Sequence, residues 1–505
     1  MCKMAHFGNC DPETADQEYC IFHKPNKSKE EAVEFYRKFL ERFKPRVEEI
    51  EVDGRKTKRL VFEEPVDARE YVFPKIPDEP IEYKDRNGNK WEQKFSFKYA
   101  VFKNTANFNK ATFKEDVSFE QVHFEKGVDF IKSNFLGYAD FSNAVFHKDT
   151  QFAEATFEEI EFFGATFKGR AKFVSCIFKK GADFWFAKFN DAAVFSMSEF
   201  KEQAYFHQIT FRSKVDFRGC RFEGYTTFSH SQIEDADFKY CRFQDIAEFW
   251  NTSFNGNAYF DNSSFEYVVS FEGIDSNPNV RFHKILSFSN CDFRQGIKFI
   301  GSLDEEKFQK MFNQKYPQSL QEAARVQRLS YEKEGKRDEA DRMFVLERRA
   351  YRKVLKNRAK EKYFNAKTPY QKFEAILFLI YAYISTAIET VLADWISLYG
   401  TSWGRIILSS FWVITANAIL YWTLSHFSYV EVYGIPIGTI YTNGISQGVP
   451  GFLNALYYSL VTFTTLGYGD MHPTGWLKAL SAIEALTGAV FMALIVAVIA
   501  RKWMR

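Results

Sequence analysis

Phenylalanine recurs every five or six residues from Phe102 onward, at 102, 108, 113, 119, 124, 130, 135, 141, 146, 152 and 157. The steps alternate six and five, so the period is 11. The pattern resumes at 167, 173, 178, 184, 189, 195, 200, 206, 211, 217, 222 and 228, places Ile233 in the next slot, and continues at 238, 243, 249, 254, 260, 265 and 271. One residue drops out of register near Phe162 and Phe163, and another near Ile233. Self-similarity at a fixed period means a solenoid, in which each coil buries its apolar side chains against the next. Of 57 Phe, 39 lie between Phe95 and Phe299, a window that holds two Leu (Leu136 and Leu286). A skew that local excludes one ordinary domain averaged over 505 residues.

A small residue sits two positions before most of these Phe, for example Ala139, Ala144, Ala155, Ala165, Ala171, Ala182, Ala204, Ala236 and Ala258. Side chains two apart on an extended segment point the same way. Each short face therefore turns one small residue and one Phe inward, and polar residues turn the corners. A helical period of 3.6 is absent. Cys176, Cys220, Cys241 and Cys291 occupy the small inward slot, which reads as core and not as reactive thiol.

Segments such as Gly181-Ala-Asp-Phe184 and Ala236-Asp-Phe238 resemble the pentapeptide-repeat family. The resemblance implies a right-handed quadrilateral β-helix over residues 95–300. The extra residue in every second repeat implies about 22 residues per coil, roughly nine coils and a rod of about 45 Å. Residues 97–299 hold 24 Lys/Arg against 27 Asp/Glu. That near balance argues against a nucleic-acid partner and gives little support to mimicry of DNA. No nucleophile–base pair and no phosphate loop is evident, so no enzyme is expected. A regulatory or scaffolding role is expected for the rod, with a protein or small ligand as its partner.

The N-terminus shows no apolar run after its charge, so no secretory signal is expected. Cys2, Cys10, Cys20 and His23 cluster within residues 1–30. Three thiolates and one imidazole suit a tetrahedral Zn²⁺, and His6 is a spare donor. The segment also looks like the Cys/His knuckle that precedes the repeats in some bacterial pentapeptide-repeat proteins. Residues 31–94 read as a small α/β connector.

Past the array, residues 301–372 are charged and helix-prone. Leu320–Glu334, Gly335 and Asp338–Lys362 read as a helical hairpin in which Gly335 ends the first helix. Between Arg325 and Lys372 there are 16 Lys/Arg against seven Asp/Glu. Such a block beside an apolar region suits a bilayer with anionic headgroups. Ile406–His426 and Leu477–Ala500 are long enough to cross a ~30 Å hydrocarbon core. Arg405 before the first and Arg501–Arg505 after the second place both termini in the cytoplasm, with the chain in the cell (inner) membrane. A third apolar stretch, Phe373–Leu398, would as a span reverse that orientation, so residues 373–400 read as an interfacial helix.

Within 401–505, an apolar segment from Phe452 runs into Thr464-Thr465-Leu466-Gly467-Tyr468-Gly469-Asp470. A K⁺ filter needs rings of backbone carbonyls that replace the hydration shell. Gly467 and Gly469 permit the torsions that aim successive carbonyls at one axis. Thr465 can add a hydroxyl ring, and a pore helix over 452–463 would point its negative end at the cation path. This all-α region closely resembles a two-span potassium channel, whose signature is Thr-Val-Gly-Tyr-Gly-Asp. The resemblance implies a homotetramer conducting K⁺ through Thr465–Asp470. Leu466 replaces Val at a position that contributes its carbonyl. Val461 stands where some members carry a carboxylate that pairs with the Asp after the filter. Glu484 and Thr464 are candidate supports for the filter, and Gly488 is a candidate gating hinge. A membrane-anchored scaffold with a secondary pore is the alternative reading.

Overall fold

The computed structural model describes residues 2–272, 280–300, 304–442 and 451–503, so the end of the basic tail Arg501–Arg505 lies outside the described residues. The chain divides into two units, Met1–Val354 and Leu355–Arg505.

The first unit is a parallel β-solenoid. Phe102 lies beside Phe124 and Phe124 beside Phe146, 22 residues apart. Phe146 meets Phe167 and Ile233 meets Phe254 after 21, which locates the two expected register losses. Phe254 next meets Phe282, 28 residues on; the added length includes residues 273–279, outside the described set. Ring stacks run along the coils, with Phe146–Phe167 at 4.6 Å and Phe130–Phe152 at 4.9 Å, both within 2° of parallel. Between columns the rings meet edge to face, as in Phe130–Phe141 at 85°. Both geometries suit the ring quadrupole.

The alternation of five and six residues has a backbone cause. Tyr99, Lys110, Gln121, Lys132, Asn143 and Glu154, spaced by 11, all have φ near +60°. They sit in the five-residue corners, where Ala111 N–H closes on the Phe108 carbonyl at 3.0 Å and Val122 N–H on Phe119 at 3.1 Å. Left-handed torsion makes the tighter corner. The six-residue corners, such as Phe102 to Phe108, contain no such residue. Inward slots that hold Cys or Ser turn their side chain to the preceding coil. Cys176 Sγ donates to Phe152 O at 2.9 Å, and Ser133 Oγ to Phe108 O at 2.7 Å. Burial pushes the Cys176 thiol up to about 12, in keeping with a core role.

The β-helix starts earlier than expected. Val61-Phe62 pairs with Val101-Phe102, Val66-Asp67 with Ala106-Asn107, and Val72-Phe73 with Thr112-Phe113. Part of the 31–94 connector is therefore the first coil, interrupted by an antiparallel hairpin, Ile81–Lys84 with Lys90–Gln93. The 11-residue period misses this coil because the hairpin splits it and Ala68 takes one Phe slot. Helix α1 (Lys29–Phe43), started by a Ser28–Glu31 capping box, lays Phe35 and Phe39 against Phe73, with Phe39 also on Phe62, Phe95 and Phe97.

At the other end, α2 (Glu305–Lys310) brings Phe308 onto Phe299. The hairpin follows as α3 (Pro317–Lys333) and α4 (Arg337–Asn365), with Gly335 at φ 73° between them. Last-coil N–H groups end on α3 side chains: Leu286 on Ser319, Ile297 on Ser330 and Phe299 on Gln327, at 2.9–3.1 Å. Bare sheet edges invite pairing with other chains, and both ends are covered.

In the second unit, α5 (Pro369–Ile388) continues into a π-helical turn, Glu389–Trp395. Helix α6 (Trp403–Ser425), the short α7 (Phe452–Phe463) and α8 (Leu477–Trp503) follow. Pro369–Trp395, Trp403–Ser425 and Leu477–Ala500 are each long and apolar enough to cross a membrane. The stretch read as interfacial thus has spanning length as well, because α5 and the π turn form one uninterrupted helical run.

Candidate functional site

The apolar segment before the Gly-Tyr-Gly run is helical as expected. Thr464 ends α7, its hydroxyl donating to Leu460 O at 2.7 Å. The chain then leaves the helix with torsions that alternate in sign. Thr465, Gly467 and Gly469 have φ of 60°, 53° and 75°, while Leu466 and Tyr468 between them are not in the positive region. Alternating handedness keeps successive peptide planes facing the same way, and glycine supplies it without steric cost. Leu466 is 60% and Tyr468 68% exposed in the single chain.

Three helices are pinned around this segment by one polar cluster. Glu484 on α8 is buried. It accepts from Tyr421 Oη on α6 at 2.7 Å and from Ser459 Oγ on α7. Ser459 also reaches Ile414 O at 2.8 Å, and Tyr458 Oη lies 2.9 Å from Ser481 Oγ. Glu484 therefore ties α8 to α6 and α7. A buried polar group in an apolar setting demands such partners. Apolar packing adds Phe463 of α7 on Phe491 of α8 at 5.7 Å, with Ile406 and Val498.

Gly488 lies against the C-terminal end of α7. A Cβ there would sit 1.8 Å from the Phe463 carbonyl oxygen. Close packing is itself sufficient reason for glycine, and α8 runs unbroken through it.

Beyond the Gly-Tyr-Gly run, Asp470 accepts from Tyr457 Oη at 3.0 Å. The carboxylate partner missing at Val461 is replaced by a phenol one helical turn earlier. Tyr457 carries no sequence signal for this role, since the potassium-channel resemblance places the partner at position 461. Ile440–Thr442 then pairs antiparallel with Met471–Pro473, with Ile440 beside Pro473. Gly438 and Gly475 let those backbones touch: added Cβ atoms would lie 1.9 Å from Thr474 O and 2.0 Å from Pro436 O. This clamp had no periodic signal by which to be found.

The second site is the N-terminal cluster. One donor atom each from Cys2, Cys10, Cys20 and His23 lies within 4.8 Å of the others. His23 Nδ1 stands 3.9, 3.7 and 3.0 Å from the sulfurs of Cys2, Cys10 and Cys20. A tetrahedral Zn²⁺, with bonds of about 2.3 Å to sulfur and 2.0 Å to nitrogen, spaces such donors by about 3.5 Å. Burial pushes the His23 imidazole down to about 4, leaving its lone pair free near neutral pH. Burial and the neighbouring Cys2 and Cys20 push Cys10 up to about 12. Three crowded sulfurs do not ionise together without a cation, so the donor set fits one. Cys20 N–H donates to Cys2 Sγ at 3.3 Å, as a ligand thiolate requires. His6 is not in the cluster.

This knuckle is built onto the first coil. Val72 N–H donates to Phe22 O at 2.9 Å, as Thr112 N–H does to Tyr71 O in the next coil. Tyr71 stacks on Phe22 at 4.5 Å and donates to Asn9 O at 2.8 Å. Buried Lys38 of α1 binds Asp11 at 2.9 Å and Glu13 at 2.8 Å.

With this geometry in view, residues 419–505 match the ion-channel family model. Residues 91–133, 130–177 and 206–253 match a family model described as pentapeptide repeats (9 copies). The chain joins a pentapeptide-repeat solenoid to an ion-channel domain. The channel match covers α7, the Thr465–Asp470 run and α8, where the polar cluster lies. No curated protein and no solved structure matches the chain.

Proposed function

We propose that the protein is a K⁺-selective channel in which four chains surround one pore and Thr465–Asp470 form the filter. The alternating torsions at Thr465–Gly469 carry this reading, since they let one face of the backbone offer carbonyl oxygens in register. Exposure of Leu466 and Tyr468 in a single chain supports the tetramer. Irregular backbone at membrane depth is tolerated only when buried in protein or lining a wet path, and three further copies supply both. Asp470 and Tyr457 would hold the outer end, and Glu484 the pore helix. The Cys2, Cys10, Cys20 and His23 donors would hold Zn²⁺ as a structural centre.

In this reading both termini are cytoplasmic, in a cell membrane, with residues 373–400 at the interface. Exposed Arg358, Lys360, Lys362 and Lys367 precede that stretch in the sequence and suit anionic headgroups. The solenoid has a regulatory or scaffolding role toward a protein or small ligand, and no catalytic role is proposed. The test is flux from proteoliposomes loaded with K⁺ or Na⁺. K⁺ efflux should be faster and should be blocked by Ba²⁺; Gly467→Ala should abolish it while the tetramer persists. Equal flux of both ions from intact tetramers would refute the reading.

A further inference from the structure

One corner of the solenoid carries aromatic rings that contribute nothing to its core. Phe163, Trp185 and Phe186 are 37%, 40% and 40% exposed, and His207, His230 and Trp250 continue the row half-buried. Each ring touches the next. Trp185 lies 6.4 Å from Phe163, stacks on Phe186 at 5.7 Å and meets His207 edge-on at 5.2 Å. His207 reaches His230 at 5.0 Å, and His230 reaches Trp250 at 4.2 Å.

Phe186 also has φ of 60°. A bulky side chain in that region is a steric outlier, and here it is exposed, so the core gains nothing from it. Elsewhere along the same corner the equivalent positions hold Gln121, Asn143 and Gln208, which suit a solvated turn. A contiguous exposed apolar patch marks an interaction surface.

We propose that this ridge pairs with the same ridge of a second copy of the chain, so that the solenoids of a channel associate two by two. The inference rests on the tetrameric reading above. Area favours a tethered second copy over a free partner. Four Phe and Trp side chains of about 150–250 Å² each, with two smaller imidazoles, all well under half exposed, offer on the order of 400 Å² per copy. A stable complex between free proteins needs about 800 Å² per partner. Chains already joined at a pore meet at millimolar effective concentration, where a smaller contact suffices. The composition agrees: two-fold homodimer interfaces are enriched in aromatics and depleted of charge, and none of the six side chains carries a carboxylate, ammonium or guanidinium. A two-fold contact is self-complementary. Antiparallel pairing sets Phe163 opposite Trp250 and His207, mid-way, opposite its own copy.

The test is disulfide trapping in the full-length protein in membranes. Tyr240, 65% exposed and in the five-residue corner on the opposite side of the coil, serves as the control. With mild oxidant, His207→Cys should give a covalent dimer and no larger species, and Tyr240→Cys should give none. Adding Trp185→Ala and Phe186→Ala should remove the His207→Cys dimer without lowering solenoid stability, because both rings lie outside the core. Native mass measured on the same samples separates the two claims. A tetramer in which His207→Cys does not cross-link, or in which only Tyr240→Cys does, overturns the ridge contact alone. A monomeric chain overturns the tetrameric reading with it.

Discussion

Two residues of α8 show how much one atom decides here. Replacing an exposed helical Gly by Ala usually gains about 1 kcal/mol. At Gly488 the sign reverses, because the new methyl would meet the Phe463 carbonyl at 1.8 Å. Gly488→Ala is expected to lower the thermal midpoint of the purified channel, and a rise would show that α7 and α8 are not packed as described. Glu484→Ala takes the carboxylate acceptor from the Tyr421 and Ser459 hydroxyls and leaves them Ser481 Oγ and the Ile414 carbonyl, a cost of about 1–3 kcal/mol. Ser459→Ala on top of it should be less than additive, as expected for contacting residues; full additivity in thermal melts would contradict the cluster. The run from Thr464 to Asp470 was legible as a candidate filter because it is contiguous and has a fixed spacing. Tyr457, Tyr421 and Ser459 were not, because their roles arise from three helices meeting in space.

Among the elements, the coil is nearly self-announcing, since its period appears directly as Phe positions. Its stacked rings carry the stability. Phe195, fully buried between Phe173 and Phe217 at 4.8 Å on each side, should cost about 3–5 kcal/mol when changed to Ala. Phe186→Ala, on the surface, should cost almost nothing. Urea titration of the two variants tests the contrast, and equal losses would contradict the columnar core. Element ends were less legible. The first coil hides behind a hairpin insertion: Phe62 and Phe73 keep the 11-residue spacing, but Ala68 fills the slot between them and Phe97 comes 24 residues after Phe73. The capping role of α3 rests on Ser319, Gln327 and Ser330, polar residues whose sequence pattern says only that the helix is amphipathic. The π turn at Glu389–Trp395 leaves no compositional trace.

Across the molecule, a metal-fitted cap, a Phe-cored solenoid and a pore domain lie in one chain. The cap supplies the carbonyl that the first coil needs at Val72, so its ordering affects more than residues 2–23. Chelation of bound metal is expected to expose residues 1–75 to protease before the later coils, read by mass spectrometry of the fragments. Uniform resistance with and without chelator would contradict a metal-held cap. In the metal-free protein the buried His23 adds a pH dependence. Its folded value of about 4 lies below the free imidazole near 6.5, so the unfolded chain binds the extra proton. Cap stability is therefore complete above about pH 6.5 and declines as pH falls toward 4.

The claim that binds the account together is that backbone carbonyls at Thr465–Gly469 select K⁺. The direct test is the reversal potential of single channels of the full-length protein with K⁺ on one side and Na⁺ on the other. Strong selectivity places that potential far from zero, toward the K⁺ equilibrium potential, and Gly469→Ala should abolish the current or move the potential to zero. A wild-type reversal potential at zero, in channels of intact tetrameric mass, would contradict the account.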